Sequence, residues 1–357
     1  MNTLDYRSKT IAEVLELPLS ELAASVPVQT IEQRRPPAAD RLRLLLAGAY
    51  SLCAMLGESR APALGSLRAT TDRACALAGS GDYDQLAAVL GDLLPGLEAA
   101  GRTVPAALQA DTYELTAMAY QACSTALMKL GEPLAAWVAA DRAMAAAEKA
   151  GNLLLAAAGQ YRLASVFLDA REHALADEMA RTTLLALRGL AELGDPDALS
   201  LCGGLTLLCA LISARTNHPA AAYGHLAKAR LLASRLGSRR ADGMPEFSAQ
   251  YVALLEIAIS VDLGDAGHAL RAAASVDVAS FTPGQLAQML IDVARAYAMR
   301  EQVDEATAAL LRAADLGPGQ VHDRERACHL IRDLLTMRNS PRRALLALAD
   351  RMAAAPA

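Results

Sequence analysis

Six times along the chain a helix-length run of small and aliphatic residues is broken by a short turn. Around each break the same five distances carry small or apolar side chains. The pattern is plainest in AYQACSTALMKLGEPLAAWVAADRAMAAAEKAGN, residues 119 to 152. Counting from Ser124, Leu127 stands three residues on, and Ala136, Ala140 and Ala143 stand twelve, sixteen and nineteen on. The first two share one helix face and the last three share one face of a second helix. LGEP between them offers glycine where one helix ends and proline where the next begins. The spacing therefore predicts an antiparallel helical hairpin closed through side chains small enough for the backbones to approach.

The same offsets fit Ala74, Leu77, Leu86, Leu90, Leu93 around GSGD, and Ala164, Phe167, Ala176, Ala180, Thr183 in the next hairpin. They fit Ala210, Ser213, Ala222, Leu226, Ala229 around TNHP, and Ile257, Ser260, Ala269, Ala273, Val276 around LGDAG. Ala294, Tyr297, Ala306, Leu310, Ala313 complete the set around MREQ. None of these thirty slots is charged in a chain that is 20% charged. A hairpin with one apolar face must stack on neighbours to bury it, so the expected fold is all-α, a right-handed α-solenoid of TPR-like helical hairpins, about six plus a terminal cap. The origins lie 50, 40, 46, 47 and 37 residues apart, longer than the roughly 34 of a tetratricopeptide array, so long helices and longer linkers are expected.

The boundaries follow. Residues 1–37 read as a short helical segment, KTIAEVLELPLSELAAS split by Pro18, and the linker SVPVQTIEQRRPPAAD; 38–319 as the solenoid; 320–357 as capping helices with polar outer faces. SRLGSRRADGMPEF (234–247) reads as a loop between hairpins.

Composition agrees with helix. Apolar residues make up 54% but aromatics only 4%, and alanine and leucine, which lose little entropy in helices, supply the difference. Net charge is −5, with no basic block beyond pairs such as Arg34-Arg35 and Arg239-Arg240, so the chain alone is a poor nucleic-acid binder. Its six cysteines (53, 75, 123, 202, 209, 328) form no CxxC pair and read as buried small hydrophobes in a reducing compartment. ALSLCGGLTLLCALISA (198–214) is the longest uncharged run, shorter than the about 20 apolar residues a span needs, so a buried helix is expected. No signal peptide is visible in MNTLDYRSKT. A soluble, cytoplasmic protein without membrane contact is the expectation.

No phosphate loop, dinucleotide fingerprint, nucleophile elbow or HExxH motif occurs. His322, Cys328 and His329 with Asp323 and Glu325 come nearest to a metal cluster. Only 322 and 329 share a helix face, and a solvated cap is the better reading. No nucleophile has a base at helical spacing. The chain is expected to be no enzyme and to hold no cofactor. Trp137, the only tryptophan, reads as a plug between alanine-lined hairpins rather than a stacking platform; Asp141-Arg142 beside it read as inter-repeat ion pairs.

A solenoid's concave wall is built from the first helix of each hairpin. Counting three back, one on and four on from the origins selects Thr71, Gln121, Thr125, Tyr161, Ser165, Leu254 and Arg295, and six back adds Tyr251. Tyrosines, small hydroxyls, an amide and one arginine in an apolar trough suit a short peptide or a small molecule with both polar and apolar parts. Each position taken singly reads equally well as solvated surface.

Four segments resemble the C-terminal region of actinomycete XRE-type helix-turn-helix transcriptional regulators. They are LRATTDRACALAGSGDYDQLAAVLGDLLPGLEAA (67–100), the 119–152 stretch with LAAWVAADRA, EFSAQYVALLEIAISVDLGDAGHALRAA (246–273) and LIDVARAYAMREQVDEATAALLRAADLGPGQV (290–321). DRLRLLLAGAY (40–50) fits the family's lead-in, and the resemblance runs from about residue 38 to the C-terminus. It implies a tetratricopeptide-like sensor domain behind an N-terminal DNA-binding module, often near secondary-metabolite or developmental genes. Only KTIAEVLELPLSELAA resembles the last helix of such a module, and residues 1–24 are too few for a recognition helix with its supporting helix. DNA contact is thus expected only through a module not complete here. The family's FGPTNVALH-like run reads FSAQYVALL (247–255), with Leu255 for the histidine and Gln250-Tyr251 for Thr-Asn, so the ligand need not be the family's. Groove occupancy is expected to alter superhelix curvature or the geometry of a homodimer, and thereby DNA binding. The alternative is an adaptor without a helix-turn-helix that docks partner proteins.

Overall fold

The computed structural model describes residues 36–47, 63–237, 247–316, 321–337 and 342–354. Among these are fifteen α-helices and no strand. A lead-in helix, α1 (Pro37–Leu46), precedes six hairpins: α2 (Leu64–Ser80) with α3 (Tyr83–Thr103), α4 (Ala106–Lys129) with α5 (Pro133–Ala150), and α6 (Leu153–Asp169) with α7 (His173–Glu192). The other three are α8 (Pro196–Arg215) with α9 (Pro219–Leu236), α10 (Ala249–Asp262) with α11 (Ala266–Ser275), and α12 (Pro283–Met299) with α13 (Val303–Asp315). The capping pair is α14 (Val321–Thr336) and α15 (Arg342–Ala354). Nearly all of the 1–37 segment, most of the 234–247 loop, GPGQ (317–320), Cys53 and the side chains of His322, Asp323 and Glu325 lie outside the described residues.

None of the thirty slots is exposed, and only Leu77, Phe167, Ser213, Ala273, Val276 and Tyr297 keep some solvent contact. Each turn repeats one geometry. Seven residues past every origin the backbone is left-handed, at Gly81, Gly131, Arg171, Asn217, Gly264 and Glu301. The next amide donates back to the carbonyl three past the origin, as in Glu132 to Leu127 (2.8 Å) and Gln302 to Tyr297 (3.0 Å), which closes the orphan carbonyls of the first helix. Glycine takes this conformation freely; Arg171 and Glu301 hold it against steric preference.

Stacking follows from the first helices. Each of α2, α4, α6, α8, α10 and α12 packs on the first helix of the next pair; the second helices α3, α5, α7, α9 and α11 each pack on the first helix that follows, while α13 packs on α15. The second helices α3, α5, α7, α9 and α11 have no comparable contact with one another. Close-packed first helices and splayed second helices curve the stack with the first helices inside. The curl is tight enough that α14 reaches back to touch α4. This is an all-α solenoid of TPR-like hairpins, as the periodicity predicts.

One described helix, Pro196–Arg215, is long and apolar enough to cross a membrane, and 83% of its most apolar window is buried inside the fold. Its central Gly203-Gly204 explains how it fits. A Cβ on Gly203 would stand 2.2 Å from the Phe247 ring, and one on Gly204 would stand 3.2 Å from the edge of Tyr161. Cys123, Cys202 and Cys209 are buried and Cys75 and Cys328 half-buried, and none of these five is in a disulfide.

Candidate ligand-binding groove

The first helices place the expected groove residues in four different settings. Thr71 is fully buried, its hydroxyl donating to the Leu67 carbonyl at 2.9 Å. Gln121 is buried too, and its Nε2 donates to the Leu155 carbonyl of the next hairpin at 3.0 Å; Leu254 has no exposure. Alanine-lined helices approach so closely that positions three before the origin face the neighbouring first helix instead of open space. These three are packing groups. Thr125 and Ser165 are half-buried, with hydroxyls donating to Gln121 and Tyr161 carbonyls one turn back.

Arg295 belongs to a charge ladder. It pairs with Asp262 at 2.9 Å and Asp292 at 3.0 Å; Asp262 also faces Arg215 (3.8 Å), and Arg215 faces Asp169 (3.5 Å). Asp292 accepts from Arg326 of α14 at 2.6 Å. Alternating charges thus tie α6, α8, α10, α12 and α14 along one course. Asp169, Arg215 and Asp262 stand five residues past their origins, a register legible in the sequence once that slot is counted.

Tyr161 and Tyr251 remain, and between them stands a residue the offsets missed. Arg162 lies on α6, two residues before its origin, with its guanidinium 5.6 Å from the centre of the Tyr161 ring. Its charge acts on Cys75 of α2, and Tyr251 of α10 acts on it in turn. Those helices are two hairpins away on either side, so the side chain must point into the space the first helices enclose. Tyr161 and Arg162 keep some accessible surface, yet burial dominates both ionisations, raising the phenol's pKa and lowering the guanidinium's. Surrounded groups that still touch solvent form the floor of a trough. Gly204 opposite Tyr161 is what leaves the ring its room.

The guanidinium is uncompensated. Its Nε is buried without a hydrogen-bond partner, and the neighbours that favour its charge, Tyr161, Tyr251 and Cys75, are weak acids neutral at pH 7. Burial also pushes the Cys75 thiol up to about 11, so it is a poor nucleophile.

Outside the trough, Arg102, Arg142 and Lys149 line a pocket of about 420 Å³ between α3, α4 and α5. There the charges are occupied: Lys149 lies over Tyr113, Arg142 over Tyr120, and Arg102 faces Glu98 at 3.8 Å. Among the described residues Arg142 makes no ion pair with a neighbouring repeat; it donates to the last-turn Leu46 carbonyl of α1 at 2.9 Å, while Asp141 is exposed. Trp137 lies 5.8 Å from Phe167 of the next hairpin, as a plug would, but stays 45% exposed because it sits on a splayed second helix. Among the described residues no group of three His, Cys, Asp or Glu side chains is placed to hold a metal ion.

This arrangement has a counterpart among solved structures. The likeness lies in the fold. The chain is similar to the Rap protein in its crystal structure complexed with competence and sporulation factor, with a TM-score of 0.50 and 15% identity over 82% of this chain and 88% of that one. No protein-family model and no curated protein matches the sequence. At this identity the likeness establishes a helical-repeat solenoid and nothing about its ligand.

Proposed function

We propose that the solenoid is the sensing part of a transcriptional regulator and binds a short peptide or small molecule in its trough. The observation that carries the reading is the floor itself, where Arg162 lies over the Tyr161 ring, Tyr251 from a hairpin two further along acts on its charge, and its buried Nε has no partner among the described residues. The ligand held in the Rap complex supports a solenoid of this kind as a receptor, and the resemblance of four segments to XRE-type regulators supports a regulatory output. No catalytic role and no cofactor are proposed.

The ladder supplies a route from ligand to output. Arg162 and Asp169 stand seven residues apart on α6, on one helix face. A ligand that shifts α6 therefore works against the pairs that set the spacing of α6, α8 and α10, and so against curvature. Coupling of this sort needs only a few kcal/mol of differential affinity between two curvatures. The second reading is an adaptor that docks partner proteins, favoured by Trp137 standing exposed beside exposed Leu134 and Val138 on α5.

Thermal unfolding of the full chain against fractionated culture extract tests the receptor reading. One fraction is expected to raise the midpoint of wild type and to lose that effect on Tyr251→Ala, as ligand linkage requires. If every fraction leaves the wild-type midpoint unmoved, the receptor reading fails. Deleting the coding sequence tests the output: unchanged transcript levels at every neighbouring gene would favour the adaptor.

A further inference from the structure

Among the described residues neither a carboxylate nor a backbone oxygen pairs with Arg162, although such partners are present for Arg142, Arg215, Arg235, Arg295 and Arg326. We infer that Arg162 is the receiving group for a ligand carboxylate, so that the molecule bound in the trough is an acid: a peptide through its terminus, or a small carboxylic acid.

The inference rests on the trough reading and narrows it. Geometry selects the group. The terminal nitrogens of the guanidinium present N–H groups that a planar carboxylate accepts through both oxygens, while the enclosed Nε finds no partner inside the protein. The Tyr161 ring lies beside the guanidinium and offers an apolar wall to whatever bears the acid, and Tyr251 acts on the same charge. Charge selects further. Arg162 brings a single positive charge into a surrounded site; among the described residues no second cation acts on it, on Tyr161 or on Cys75, and the one carboxylate acting nearby, Asp72, acts on Cys75 and not on Arg162. One carboxylate neutralises one guanidinium, whereas a dianionic phosphate would leave a buried negative charge without a partner.

The experiment follows thermal unfolding of the full chain in benzoate, in benzamide and in inorganic phosphate at matched ionic strength, for wild type and Arg162→Gln. Benzoate is expected to raise the wild-type midpoint by about 2–4 °C and to leave Arg162→Gln unmoved, with benzamide inert on both. Arg162→Met, which removes the charge and keeps the length, is expected to raise the midpoint of the unliganded chain. Two mixtures of synthetic tetrapeptides, one with free C-termini and one amidated, then separate the sources. Stabilisation by the free acids alone assigns a peptide terminus; stabilisation by benzoate without either mixture assigns a small acid. A benzoate shift that is absent, or equal in wild type and Arg162→Gln, overturns the inference, as does a larger response to phosphate than to benzoate or a loss of stability in Arg162→Met. A culture fraction that stabilises wild type and Arg162→Gln alike would overturn the carboxylate and leave the trough reading standing.

Discussion

Arg162 and Asp292 occupy the same place in their hairpins, two residues before the origin on a first helix, and the solenoid treats them in opposite ways. Asp292 has no exposure, its Oδ1 accepts from Arg295 at 3.0 Å and Arg326 at 2.6 Å, and its Oδ2 is buried without a hydrogen-bond partner, so its charge is answered by two cations though not at every atom. Among the described residues no carboxylate pairs with Arg162. A repeat array can therefore use one register for closure at its C-terminal end and for reception in its middle, and what decides is whether a neighbouring hairpin carries the opposite charge. Around Asp292 the ladder supplies two arginines. Around Arg162 the adjacent first helices present Ala122, Cys123, Gly204 and Leu208 at the neighbouring positions, none of which can neutralise it.

Removing each charge tests the contrast most directly. Asp292→Ala is expected to destabilise the chain by about 3 kcal/mol, because it strips one shared partner from two half-buried arginines. Arg162→Met is expected to stabilise it by about 1 kcal/mol, because an uncompensated charge in a surrounded site is replaced by a methionine of similar length. Urea midpoints at one pH measure both. Equal signs for the two variants would mean that Arg162 has a partner and that the contrast is false.

The glycine pair of α8 sharpens the comparison at smaller scale. Gly203→Ala forces a methyl group against the Phe247 ring and is expected to cost about 2 kcal/mol. Gly204→Ala presses only on the edge of Tyr161, which borders the trough and can yield, so it is expected to cost under about 1 kcal/mol while weakening ligand binding. If Gly204→Ala leaves every trough ligand unaffected, Tyr161 is not part of the floor.

Much of this architecture was written in local spacing. The five slots, the left-handed residue seven past each origin and the polar cap that follows it recur because a hairpin turn is solved within ten or so residues, by glycine, asparagine or a tolerated strain at Arg171 and Glu301. The floor of the trough was not legible in that way. Thr71, Gln121 and Leu254 share the register of Tyr161, yet they are buried and it is not, because only Tyr161 faces a glycine on the next first helix. Arg162 meets Cys75 and Tyr251 only after superhelical curvature brings three hairpins round one space. Curvature is the sum of small rotations per repeat, and no short window of sequence contains it. The exposure of Trp137 has the same origin: a small-residue context promised a plug, but splayed second helices leave part of the indole outside.

Glu256 lies between the two extremes and gives the smallest effect. It stands one residue before the origin of α10, accepts from Arg230 and lies 2.9 Å from His268 Nε2. Burial pulls its pKa up, but the hydrogen bonds from Arg230 and His268 outweigh burial and hold it below the ordinary 4.5. A carboxylate whose pKa is depressed by folding stabilises the folded state at pH values above its unfolded pKa, and that stability is lost as the pH falls through the folded value. The window therefore lies below about 4.5. Because Arg230 is half exposed, the pair is screened, and its contribution is expected to be under about 1 kcal/mol. Urea midpoints taken from pH 7 down to pH 3 should show a decline in wild type that is shallower in Glu256→Gln, with the two curves converging at the acid end. A loss in Glu256→Gln as large as that of Asp292→Ala, or a pH profile parallel to wild type throughout, would mean that the grading from ladder to trough does not follow how completely each charge is enclosed and answered.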